Sequence, residues 1–278
     1  MHLLEFTFLI FFVSFLAGFL GSLTGLGGGV VITPVLVLLF GINLRYAIGA
    51  TLVSVIATSS GAASAYVKEG FSNIRIGMFL EIATTAGAII GAALTTRLPA
   101  SPIAIVFGVV LIVSAFQSIR PKPVIAPTAE PNRLATLLKM HGKYPVGGQD
   151  VPYLVQGVPS GFSVMFGAGV LSGLLGIGSG AVKVIAMDQM MRLPFKVSTT
   201  TSNFMIGVTA AASAGVYLSR GYIDPALAMP VSLGVLVGAL LGARALTGAQ
   251  TKTLRLLFAV VITVMAIEMM YHGISGRM

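Results

Sequence analysis

The sequence predicts an all-α polytopic membrane protein made of two inverted repeats, each a glycine-broken helix pair followed by three transmembrane helices. Three observations predict it. The 278-residue chain is 56% hydrophobic and 9% charged, with a mean hydropathy of +0.97, more apolar surface than a soluble chain can hide. Apolar runs near the ~20 residues that span a bilayer recur along it. Shifted by 151 residues, Gly25 onto Gly176, the two halves align without a gap.

The first run, roughly 4–23, follows "MHLLEF", which lacks the basic start of a secretory leader, so it is expected to remain as a span. The second, roughly 30–40, is about half a bilayer long at ~1.5 Å per residue. It either crosses or re-enters. Runs at roughly 46–67, 74–96 and 101–119 complete a first repeat over 1–119. Residues 120–157 form a linker rich in Pro and charge, in which "PNRLATLLKM" suits a short interfacial helix. The second repeat, 158–278, carries runs at roughly 158–175, 181–190, 197–219, 224–246 and 252–272. The register places Gly18 on Gly169, Arg45 on Lys196, Tyr66 on Tyr217, and Gly87 and Gly91 on Gly238 and Gly242.

The hand of the repeat follows from charge. With the central loop (Arg120, Lys122, Arg133, Lys139, Lys143) cytoplasmic and an odd number of crossings per half, most remaining Lys and Arg also fall on that side; an even number splits them. Odd crossings invert the second copy and put both termini outside. The net charge of +9 is accordingly assigned to topology and anionic lipid contact, not to nucleic acid. There are no cysteines, hence no disulfide, Fe–S or thiolate zinc site. His2, His141 and His272 sit at the ends and in the loop, and no HExxH occurs, so neither enzyme activity nor a metal or cofactor is expected.

The glycine clusters carry the chemistry. "LTGLGGGVVITP" holds Gly25, Gly27, Gly28 and Gly29, and "LLGIGSGAVKVI" holds Gly176, Gly178, Ser179 and Gly180. Consecutive glycine destroys a helix, which lipid otherwise enforces. A half-helix starting inside the membrane presents free N–H groups and a positive dipole end to an anion. Mirrored breaks of this kind point to a secondary-transporter site. Gly87/Gly91 and Gly238/Gly242, at GxxxG spacing, suit helix packing instead.

Lys183, where the first half has Ile32, either completes the anion site or snorkels to the interface. Asp188 is a candidate partner for it. Thr51, Ser202 and Asn203 are the deeper polar groups of the following helices and are candidate substrate donors. Glu81, mid-segment, is the candidate for proton coupling.

These residues resemble the sulfite exporter TauE/SafE family of membrane permeases. The resemblance rests on "SLTGLGGGVVITP", "AIGATLVS" and "YVKEGFSNIRIG", then "GLLGIGSGAVKVI", "STTTSNF" and "YLSRGYIDPALAM". It implies transport of small sulfur-containing anions, such as sulfite or organosulfonates, across a bacterial inner membrane. It carries Gly25, Gly27, Gly28, Gly29 and Pro34, with Gly176, Gly178 and Gly180, onto the two motifs; Ser179, Lys183 and Ile185 depart from the pattern. The residues alone reach only an anion permease, with a passive channel or a non-transporting scaffold as alternatives. The expected partners are a small anion, membrane lipids and a coupled proton.

Overall fold

A computed structural model describes residues 3–24, 29–68, 71–119, 132–146, 149–245 and 251–276. Gly25, Gly27 and Gly28 of the first motif lie outside the described residues. The first half contains α1 (Leu3–Thr24), α2 (Gly29–Leu38), α3 (Leu44–Lys68), α4 (Ile74–Arg97) and α5 (Ala100–Ile119). The second contains α7 (Val158–Leu175), α8 (Gly180–Ile185), α9 (Phe195–Ser219), α10 (Pro225–Ala245) and α11 (Thr251–Ser275); α8 runs straight into a π-helical turn, Ala186–Met190. Between the halves lie α6 (Arg133–Leu137) and an antiparallel hairpin of β1 (Gly142–Val146) and β2 (Gln149–Tyr153).

Every apolar run predicted from the sequence is a helix. Helices α4, α5, α7 and α10 are long and apolar enough to cross a membrane by length and composition. The hairpin was not expected, because Pro145 and Pro152 break any strand pattern. A two-stranded ribbon has only edges, and there proline is tolerated. Helix starts are set locally: the Asn73 side chain accepts the Ile76 N–H at 3.1 Å to begin α4, and Asp224 does the same for Ala226 at 2.9 Å ahead of Pro225.

Helices of one half pack on helices of the other: α1 on α10, α4 on α7, α3 on α9 and α5 on α11. Swapping the halves turns the first pair into the second and leaves the other two pairs unchanged. Lipid gives no hydrophobic drive for such pairing, so it relies on close van der Waals approach at small residues. A methyl group on Gly169 would stand 2.1 Å from the Thr84 carbonyl oxygen, and one on Gly18 would stand 2.4 Å from the Val235 carbonyl oxygen. Gly87 meets Phe166 at 2.2 Å and Gly238 meets Phe15 at 2.1 Å in the same way. These are the same two backbone contacts made twice.

The duplication extends to charge. The Arg45 guanidinium lies over the Tyr222 ring at 5.6 Å, and the Lys196 ammonium over the Phe71 ring at 3.6 Å. Both cations stand in the first turn of their helix, and both rings come from the opposite half.

Candidate functional site

The site begins at the glycine breaks. Gly176 (φ +71°), Gly178 (φ +70°) and Ser179 (φ +46°) all adopt left-handed backbone between α7 and α8. Glycine takes this conformation without strain; serine does not. Gly176 also closes α7, its N–H bonding the Ser172 carbonyl at 2.8 Å. The turn is buried, and the Ser179 hydroxyl, 3% exposed as a residue, has no hydrogen-bond partner among the described residues.

The breaks of the two halves meet. A methyl group on Gly29, the first residue of α2, would lie 3.7 Å from the Ile177 Cα and 2.6 Å from Val55. One on Gly180 would lie 2.7 Å from Ile206, and one on Gly178 would touch both Ile206 (2.7 Å) and Val55 (3.4 Å). Val55 and Ile206 are repeat mates on α3 and α9, and together they close over the junction.

Beyond the breaks the helices are loosened in two different ways. In α2, Pro34 removes an N–H and leaves the Val30 carbonyl without its helical donor. At the matching point of the second half, the ladder widens into the π-turn, where the Met191 N–H reaches the Ala186 carbonyl at 3.2 Å.

Lys183 is fully buried, so it does not snorkel to an interface. Its ammonium donates to the Thr209 hydroxyl on α9. Thr209 in turn donates to Glu81 Oε1 on α4 at 2.6 Å, and Thr85 also donates to Oε1, at 3.2 Å. Glu81 Oε2 accepts no hydrogen bond among the described residues and lies 4.0 Å from the Lys183 ammonium. Three helices therefore supply one buried chain: cation, hydroxyl, carboxylate. Asp188, the partner suggested by sequence proximity, is buried on the π-turn, while the ion pair that Lys183 makes is with Glu81.

The remaining candidates divide. Ser202 donates to the Gly180 carbonyl at 3.3 Å and so belongs to the break itself. Thr51 is fully buried, donating to Ala47 and accepting from Thr33 of α2 at 2.8 Å each, which ties α2 to α3. Asn203 is partly buried, and its backbone carbonyl accepts from Ser59. Thr209 and Thr85 were missed at the sequence level. Glu81 and Thr85 are one helical turn apart, a spacing that pairs polar side chains. Thr209 sits on the register mate of Thr58, one further polar residue in an apolar helix.

A multi-pass helical bundle with interrupted helices and a buried charge network is the architecture of a membrane transporter. The comparisons with known proteins agree. Residues 10–269 match the family described as sulfite exporter TauE/SafE, and the chain belongs to that family. It is 28% identical to "Probable membrane transporter protein YunE" of Bacillus subtilis (strain 168), across 93% of this chain and 95% of the relative. It is 29% identical to "Probable membrane transporter protein YdhB" of the same organism, over 85% and 89%. It is 25% identical to "Probable membrane transporter protein MJ0441" of Methanocaldococcus jannaschii, over 96% and 98%. No solved structure matches.

Proposed function

We propose that the protein is a secondary transporter that moves a small sulfur-containing oxyanion, such as sulfite or an organosulfonate, by alternating access between inverted repeats. The supporting observation is the meeting of the two glycine breaks, Gly29 against Ile177, deep in the bundle. There the start of α2 and the start of the helical segment Gly180–Met190 both bring main-chain N–H groups and positive dipole ends toward one place. The unpartnered Ser179 hydroxyl supplies a further donor. The sulfur in the substrate comes from the family description alone.

Lys183 and Glu81 give the reading a coupling step. An incoming anion replaces Glu81 as the counter-charge of Lys183, through Thr209. The displaced carboxylate then takes a proton on Oε2, the oxygen that accepts no hydrogen bond among the described residues. Val55 and Ile206 act as the closing plugs and draw apart to admit substrate. The central loop faces the cytoplasm in this reading, the membrane is the bacterial inner membrane, and both termini lie outside. An inside-negative potential opposes anion uptake by ~2.3 kcal/mol per charge per 100 mV, so the proton taken by Glu81 is what uptake would require, whereas exit would need no coupled ion.

The test is flux of labelled sulfite and sulfonates in proteoliposomes, with and without a pH gradient. Saturable flux is expected. Lys183→Ala should weaken substrate affinity, and Glu81→Gln should keep binding while losing the response to the gradient. Absence of saturable flux for every small oxyanion tried overturns the proposal, and non-saturating flux favours a channel.

A further inference from the structure

Charge also gathers well away from the glycine breaks. Where α4 begins, beside the central loop, a cavity of about 300 Å3 is lined by Arg75, Lys139, His141 and Lys143, with Asn73 and Tyr153. Arg75, Lys139 and Lys143 are exposed. No lining residue is acidic, and among the described residues none of the three cations forms an ion pair. The cradle is built by hydrogen bonds. Arg75 donates to the Lys139 carbonyl at 3.3 Å. Asn73 donates to the Met140 carbonyl at 3.1 Å and to the Tyr153 hydroxyl at 2.8 Å.

An apolar groove of about 500 Å3 lies next to it, with Phe79 and Ile82 of α4, Leu134 and Leu138 beside α6, and Phe162 of α7 in its walls. The two cavities are continuous in the chain. Arg75, Phe79 and Ile82 follow one another at i, i+4 and i+7 along one face of α4, and Leu138 is joined directly to Lys139. Leu134 and Ile82 are 45% and 65% exposed, so the groove opens outward, whereas Ala135 and Met140 face inward and are buried.

A cationic cradle above an outward-facing apolar groove, at the end of a membrane helix, matches one occupant by charge and by polarity. We propose that this is a binding site for an anionic phospholipid of the surrounding bilayer. The phosphate sits among Arg75, Lys139 and Lys143, and an acyl chain lies along Phe79, Ile82 and Leu134. The lipid joins α4, α6 and α7, and so fastens the central loop to the bundle. This site is independent of what the protein transports.

The test uses the full chain, delipidated in detergent. It is titrated separately with phosphatidylglycerol, with phosphatidylcholine of the same chain length, and with inorganic phosphate. Lipid adducts are counted by native mass spectrometry, and thermal unfolding is followed in parallel. Phosphatidylglycerol is expected to bind at least about tenfold more tightly than phosphatidylcholine. R75Q/K139Q/K143Q should abolish that preference. L134S/L138S, at exposed positions, should weaken both lipids while keeping the preference. R97Q/R220Q, exposed cations elsewhere, should leave it unchanged. Equal binding of the two lipids, a preference that survives the triple substitution, or one that disappears in the R97Q/R220Q control overturns the proposal. Inorganic phosphate binding as tightly as phosphatidylglycerol overturns it in favour of a free-anion site.

Discussion

The two halves of the molecule share an order of helices and differ in what they bury at matched positions. Ile32 in α2 and Lys183 in α8 occupy the same repeat position, and both are buried. Thr58 bonds only carbonyls of its own helix, Ser54 and Val55. Its mate Thr209 links Lys183 to Glu81. Where α4 carries Glu81, α10 carries Ser232, which bonds the Met229 carbonyl of its own helix. The difference teaches what a duplication holds fixed. Backbone contacts between halves admit no side chain, so they stay equal. A side-chain position admits many residues, and there one of the two matched sites holds a charge pair, Lys183 from the second half and Glu81 from the first, while its mate at Ile32 and Ser232 is neutral.

The largest effect should come from splitting that pair. Lys183→Met leaves Glu81 buried without a counter-charge and should cost about 3–5 kcal/mol, whereas Ile32→Val at the neutral matched site should cost only about 1 kcal/mol. Thermal unfolding of the purified protein checks both. Lys183→Met combined with Glu81→Gln should recover much of the loss in stability without restoring flux; if the double variant is as unstable as the single one, the pair is not what sets the two matched sites apart.

Next come the shared backbone contacts. Gly169→Ala and Gly18→Ala should each cost about 1–3 kcal/mol through overpacking, and the two melting shifts should be similar. A large effect at one site with none at the other would break the equivalence of the α1/α10 and α4/α7 pairs.

Thr209→Val should cost about 1.5–3 kcal/mol by removing a hydroxyl that bonds two charged groups. Thr58→Val, with only local bonds to lose, should stay below about 1 kcal/mol in the same assay. Equal effects would mean that Thr209 is only an ordinary helix hydroxyl.

The smallest change sharpens the comparison from the opposite side. Ser179→Gly gives the second break the residue that the first has at Gly28, and relieves a left-handed serine. It should stabilise the fold by about 1 kcal/mol while lowering affinity for the transported anion, measured as the concentration giving half-maximal flux.

The helices were legible because lipid imposes one rule on every span: enough apolar residues in a row. The hairpin Gly142–Tyr153 was not, because two strands of five residues containing Pro145 and Pro152 leave no alternation to detect. At the candidate site, the glycine breaks announced themselves by composition, and Lys183 and Glu81 by being charged where charge is costly. Their pairing was hidden, since α4 and α8 are far apart in sequence and come together through packing on α7 and α9. Asp188 was a candidate partner for Lys183 because it is close in sequence, but the ion pair that Lys183 makes is with Glu81, about a hundred residues earlier in the chain. Thr209 was hidden for the opposite reason: a threonine in a membrane helix ordinarily bonds back to its own carbonyls, as Thr58 does.

The crossed pairing of helices has a consequence for assembly. With α1 lying on α10 and α4 on α7 at main-chain contact, no cut through the central linker divides the molecule into two separable bodies. The most closely packed units are mixed pairs, one helix from each half. Peptides of the two halves expressed apart would each leave these main-chain contacts unmade until they met.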